Sequence, residues 1–293
     1  MTFSVVARDA ATGDLGCAVQ SKFPAVGAIV IHARSGVGAV ATQALSNVGY
    51  GPRGLALLEA GASPVQAMAE LTASDPLADR RQVGIVDAAG RSESHTGGGC
   101  SAWAGHIARD GFACQGNMLV SATAVEAMAL VMADRLDLPF PERLVMSLAM
   151  AQAAGGDARG QQSAALLVVR PGGGYGEGSD RLVDLRVDDH ERPIEELGRL
   201  LALHRIHFDR PTDADLIPLA GPLVGEVASR LSRRGGSGIP SSPDAVWDLL
   251  DAWAGRENLE ERMVKRGHID SVVLRILRDR TSAPPGTARE PLD

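Results

Sequence analysis

Residues 2–22 read TFSVVARDAATGDLGCAVQSK, and this stretch decides the fold. Thr2 to Asp9 is extended and half apolar, Ala10 to Asp14 carries Thr-Gly-Asp turn chemistry, and Leu15 to Lys22 is extended again. The stretch is a β-hairpin. With the turn across Ala10 to Gly13, antiparallel partners sum to about 23, so Thr2 is expected opposite Ser21 with Gln20 and Lys22 flanking it.

Outward from the hairpin, apolar runs at Gly27 to His32 and Gly36 to Thr42 continue the strands. Helical spacing follows at Arg53 to Ala60 and Pro64 to Thr72, with Gly61 as a stop and Ser63 as an N-cap. Strand character returns at Gln82 to Asp87, Ser92 to Thr96 and Gly105 to Gln115. Two helices are expected next, at Ala122 to Arg135, capped by Ser121, and from about Pro141 to Ala154. Strands at Ser163 to Arg170 and Leu182 to Val187 and a helix at Ile194 to His204 close this part. Strands, two helices, strands, two helices and a strand describe an α+β protein, and a four-layer αββα sandwich fits that order best.

From about Pro211 the sequence predicts helices only, at Leu219 to Leu231, Pro243 to Ala254 and Ile269 to Arg278. The expected organisation is a sandwich domain over 1–210, a small helical domain over 211–280 and a disordered tail over 281–293. Arg233 to Ser242, RRGGSGIPSS, reads as a flexible loop within the helical part.

A net charge of −7 and 3% aromatic residues argue against nucleic acid, which needs a basic face and stacking platforms. No apolar run approaches the roughly 20 residues of a membrane helix, and the start lacks a basic and then apolar leader pattern, so a cytoplasmic location without a membrane partner is expected. The three cysteines show no disulfide framework and no zinc-type pairing. Asp184, Asp188, Asp189 and His190 could be grouped as metal ligands. Their place before a helix that starts near Pro193 is better explained by the preference of helix N-termini for acidic residues, and no metal is expected.

The chemistry concentrates at the N-terminus. Methionine is removed when a small residue follows it, which would leave Thr2 as the first residue. Its α-amine, with a pKa of about 7.7 to 8, is partly neutral at physiological pH and lies one short side chain from Oγ, so one residue can be nucleophile and base. Of the 29 basic residues only Lys22 and Lys265 are lysine, and an ammonium at Lys22 beside Thr2 would tune that amine. Asp157, after a Gly-Gly break, serves either a turn or the orientation of the Thr2 amine. Arg159 could grip a substrate carboxylate or pair with Asp157. Gln43, Asn47 and Asn117 end apolar strands, where amides can donate to an oxyanion or read a substrate amide; Gln20 and Ser163 complete the expected substrate contacts.

The motifs TFSVVARD, CAVQSKFPAVGA, GVGAVATQALSNVGYGPRGL, WAGH, QGNML, GGDARGQQSAALLVV and DLRVDDH, spread over residues 2 to 205, resemble a bacterial family of uncharacterised Ntn-hydrolase-like (N-terminal-nucleophile) proteins. VQSKFPAVG is similar in layout to the second strand of proteasome-type β-subunits, which also begin with threonine but carry an Asp at the place of Gln20. That likeness implies the support role for Asp157. WDLLDAWAGRENLEER and IDSVVLRILRD resemble a helical module named for peptidoglycan binding. The resemblance implies an N-terminal-threonine amidohydrolase acting on a linear amide or related C–N bond of a small metabolite, with no cofactor. The alternative is a non-catalytic binding or assembly protein for a metabolite or cell-wall fragment. A homo-oligomer is expected in either case.

Overall fold

The computed structural model describes residues 2–233 and 242–282 of the chain. The chain divides between Leu201 and Ala202 into two compact units.

The hairpin read from residues 2–22 is the middle of the first unit. Strands β1 (Thr2–Arg8) and β2 (Leu15–Ser21) pair with Thr2 opposite Ser21 and Arg8 opposite Leu15. They belong to a six-stranded antiparallel sheet with β7 (Gly105–Arg109), β8 (Phe112–Asn117), β9 (Ser163–Val169) and β10 (Arg181–Val187), in the order β10-β9-β2-β1-β8-β7. A second antiparallel sheet runs β3-β4-β5-β6, from β3 (Ile31–Arg34), β4 (Gly38–Ala44), β5 (Arg81–Asp87) and β6 (Ser92–Thr96). Alternation along the strands assigns the faces. Phe3, Val5 and Ala18 pack with Leu144 and Leu148 of α4 (Phe140–Ala153) and Met128 of α3 (Thr123–Asp134). Val6, Cys17 and Val19 point the other way, against Ala39, Ala41 and Val86 of the second sheet. The opposite face of that sheet, with Val40, Val83 and Ile85, carries α1 (Tyr50–Glu59) and α2 (Pro64–Ala73) through Tyr50, Leu55, Met68 and Leu71. Strands buried on both faces explain why β1, β2 and β9 are apolar almost without interruption.

Two glycines make room for close approaches. A Cβ at Gly84 would sit 2.2 Å from Gln115 Oε1, and one at Gly27 would sit 2.3 Å from the Cβ of Ala165.

Local signals held in part. Ser63 caps α2 with a full capping box, its hydroxyl accepting from Gln66 N–H while the Gln66 side chain accepts from Ser63 N–H. Ser121 does not cap α3, which starts after Ala122 without a side-chain cap; the Ser121 hydroxyl bonds to Thr123 Oγ1 instead.

The division between the units falls within α5 (Pro193–Phe208). The second unit contains α6 (Pro222–Ser232), α7 (Pro243–Arg256) and α8 (Ser271–Ser282) around Val227, Leu250, Trp253, Ile269 and Leu277. The expectation of helices alone needs correction here, because β11 (Leu216–Pro218) pairs with β12 (His268–Asp270) in a short antiparallel ladder. Three-residue strands are too short to show an alternation in sequence. Helix α8 includes Thr281 and Ser282 of the segment read as a tail, and 283–293 lie outside the described residues, as do 234–241 of the loop read as flexible.

Candidate active site

Thr2 opens a central strand and pairs on one side with Ser21 and on the other with Asn117. It is only 7% exposed, and its Oγ1 lies 3.0 Å from Ser21 Oγ. Both hydroxyls face a cavity of about 250 Å³ walled by Phe23, Val26, Ile29, Val30, Gln43, Ala44, Ser46 and Arg159. Ala44 on this wall and Ala25, just before Val26, hold left-handed backbone with φ of 66° and 49°. Such a conformation costs an L-residue roughly 1–2 kcal/mol and persists where surroundings impose it. At Ala25 the constraint includes the bond from its N–H to Asp188 O.

Behind Thr2 the two sheets share a buried amide network. Gln43 Nε2 donates to Thr2 O at 3.1 Å and to Gln82 Oε1 at 2.8 Å, while Gln43 Oε1 accepts from the Ser4 hydroxyl at 2.7 Å. Gln115 Nε2 donates to Ser4 Oγ, and Asn117 Nδ2 to Gln82 Oε1. Gln82 Nε2 in turn reaches Gly116 O, Gly105 O and Thr96 Oγ1. The network fixes the backbone of Thr2. It also engages Gln43 and Asn117, two of the three amides expected at the substrate.

Other expected site residues are placed differently from the sequence reading. Lys22 follows the last residue of β2, is exposed, and directs its ammonium to Gln161 O at 3.2 Å rather than to Thr2. Asp157 is buried, and its carboxylate accepts the N–H of Lys22 and the N–H of Arg159. Asp157 is thereby tied to the residue that follows Ser21, the strand partner of Thr2. Gln20 pairs with Phe3 and Ala164, whose side chains belong to the helix-covered core, so alternation turns it away from the cavity. Its amide is fully buried with no hydrogen-bond partner among the described residues. Ser163 donates to Phe23 O and accepts from Val26 N–H, which sets the loop bearing two wall residues. Of the expected set, the cavity brings together Thr2, Gln43 and Arg159.

Asn47 serves the loop after β4. Its amide donates to Asp75, which also accepts from Tyr50 O–H, Arg81 and Leu77 N–H. Arg81, first among these contacts, holds the Asp75 carboxyl well below the usual carboxylate range. Burial, together with the Asp75 contact, pushes the Tyr50 hydroxyl up to about 12. Burial also raises the thiols of Cys17 and Cys114 and lowers His32. Such thiols are poor nucleophiles. Asp184 pairs with Arg181 and Arg186, Asp189 accepts from Gln162, and His190 Nδ1 accepts from Arg192 N–H.

Sequence reading missed Ser21 as a contact of the Thr2 hydroxyl, although the hairpin register had set it opposite. It missed Gln82, Gln115 and Asp75 outright. The available signal for Gln82 and Gln115 was a glutamine inside an apolar strand, in RQVGIVD and FACQGN.

Fold and site together define a mixed α+β protein with antiparallel sheets and a threonine in the wall of a small cavity. The chain belongs to the family of unknown function DUF1028, which matches residues 2–197. Residues 207–277 match a family described as "Putative peptidoglycan binding domain". A crystal structure of a DUF1028 protein from Silicibacter pomeroyi is similar at 30% identity, covering 70% of this chain and 89% of its own, with a TM-score of 0.63. The ancestral β-subunit Anbu from Yersinia bercovieri aligns at 11% identity over 72% of this chain and 98% of its own, with a TM-score of 0.33. No curated protein matches the chain. Among the described residues no helix is long and apolar enough to cross a membrane.

Proposed function

We propose that this chain is a cytoplasmic N-terminal-threonine amidohydrolase of the Ntn type, acting on a linear amide or related C–N bond of a small metabolite. The observation that supports it is the Thr2 hydroxyl in the cavity wall, 3.0 Å from Ser21 Oγ, at the start of a central strand. In this reading the packed faces of the first unit are the layers of an αββα sandwich, residues 1–210 form the catalytic domain and 211–280 a helical domain suited to homo-oligomer contacts. Once Met1 is removed, Thr2 Oγ attacks the carbonyl carbon and its own α-amine takes the proton. Ser21 Oγ is placed to pass a proton to or from Thr2 Oγ. The amine leaves with that proton, and water hydrolyses the resulting ester. No metal or organic cofactor takes part.

A second reading, a non-catalytic binding protein on the same scaffold, is favoured by one observation. Gln43 and Asn117 are engaged in the amide network, and Lys22 lies on Gln161, so the expected catalytic helpers are elsewhere. Its ligand would be a metabolite or, through the second unit, a cell-wall fragment. The test is intact mass followed by covalent labelling with a β-lactone. Loss of Met1 and a single adduct on Thr2 supports the hydrolase; a retained Met1, an acetylated amine in the native host, or an unmodified Thr2 overturns it.

A further inference from the structure

The loop that follows β4 carries part of the cavity wall, and apolar packing does little to hold it. Ala44 and Ser46 line the cavity, whereas Leu45 and Val48 are 41% and 45% exposed. Ala44 keeps a left-handed φ of 66°, a conformation disfavoured for an L-residue. Polar contacts fix the loop instead. Thr42 Oγ1 donates to Asn47 O, and Ser46 Oγ donates to Thr42 O. Leu45 N–H donates to Arg80 O, and the Asn47 amide to Asp75. Arg81 joins these groups. One edge of its guanidinium, Nε and Nη2, meets the two oxygens of Asp75 at 2.9 and 3.4 Å, and the opposite edge donates through Nη1 to Leu45 O. Neither charged residue is among those that line the cavity.

We propose that Arg81 is a positioning residue for the Thr2 cavity. Asp75 anchors one edge of the guanidinium; the other edge draws in the Leu45 carbonyl, and so holds Ala44 in its left-handed turn and keeps Ala44 and Ser46 in the wall. A hydrogen bond from a charged donor contributes more than the left-handed conformation costs, so this contact is strong enough to impose it. The two edges of a planar cation are needed. A lysine ammonium, a single point of charge, can answer Asp75 but has no second edge for Leu45. The device shapes the cavity whichever role Thr2 has.

The test places a reporter in the wall. Ser46→Cys supplies a thiol whose alkylation by iodoacetamide, read at that position by peptide mass, follows opening of the loop. Buried Cys17 in β2 and Cys114 in β8 report opening of the sheet in the same sample. Adding Arg81→Lys should speed alkylation at position 46 about 10- to 100-fold, the range for a lost hydrogen bond from a charged donor, while Cys17 and Cys114 keep their rates. Adding Ala44→Gly as well should slow it again by about 5- to 30-fold, because glycine takes the left-handed conformation without steric cost. Ala44→Gly with Arg81 intact should also slow the reaction, and this arm stands even if Arg81→Lys does not fold. An unchanged rate in Arg81→Lys, a rise shared by all three thiols, or no slowing by Ala44→Gly overturns the proposal. Labelling of Thr2 by a β-lactone plays no part in this readout, so its failure would count against the nucleophile alone.

Discussion

At the scale of the residue, the contact between Thr2 Oγ1 and Ser21 Oγ makes Ser21→Ala the informative substitution. It should slow β-lactone acylation of Thr2 by about 10²-fold, the lower range for a lost proton-transfer partner. Loss of the buried hydroxyl contact to Thr2 should lower stability by about 1 kcal/mol. Lys22→Ala should leave the pH profile of that labelling unchanged between pH 6 and 9, since its ammonium is held by Gln161 O and not by the threonine; a displaced profile would return lysine to the mechanism. The contact of Lys22 with Gln161 was not legible in the sequence for a specific reason. Turn arithmetic fixes which residues of two strands face each other, and it correctly set Thr2 opposite Ser21, but it carries no information on where a strand ends. β2 ends at Ser21, so the direction of Lys22 is set by the following loop, whose contacts come from residues about 140 positions away.

At the scale of the element, most strands of the first unit and most helices were legible because each buries a periodic apolar face. The amide network was not, since a glutamine inside an apolar strand identifies a buried polar position without naming its partner. Gln82 shows what such a position contributes: it joins β4, β5, β6, β7 and β8 through Gln43, Thr96, Gly105, Gly116 and Asn117. Gln82→Leu leaves several of these groups unpaired at about 1–3 kcal/mol each, so a loss of at least 3 kcal/mol is expected in urea unfolding. Asp75 acts on the neighbouring loop. Its carboxyl is depressed in the folded protein, so its contribution is complete above the unfolded value of about 3.9 and is lost as pH falls through that value towards the folded one. Unfolding followed from pH 6 down to pH 3 should show this loss in the native sequence, with a shallower decline in Asp75→Asn.

At the scale of the whole molecule, the second unit has its own core and its own buried ion pair. Arg262 donates to Asp270 at 2.8 Å and to the carbonyls of Arg205 and Ile206. Removing one partner of such a pair leaves a buried charge unanswered, and Arg262→Ala should destabilise this unit by about 3–5 kcal/mol. Scanning calorimetry should show its transition moving down in temperature, separate from that of the sheet-containing unit. For the sheets themselves, the 7% exposure of Thr2 imposes an order of events. An aminopeptidase needs a protruding, unpaired chain end, yet the residue it would have to uncover is laced between Ser21 and Asn117 and anchored through its carbonyl by Gln43. If Thr2 is the nucleophile proposed above, whatever precedes it is best trimmed while β1 is still unpaired. Chains that fold first would then keep a blocked amine while the central strands stay closed. On that reading the reactive fraction of a preparation is set by a race during synthesis, and two populations of different mass would share one fold while only one of them is competent.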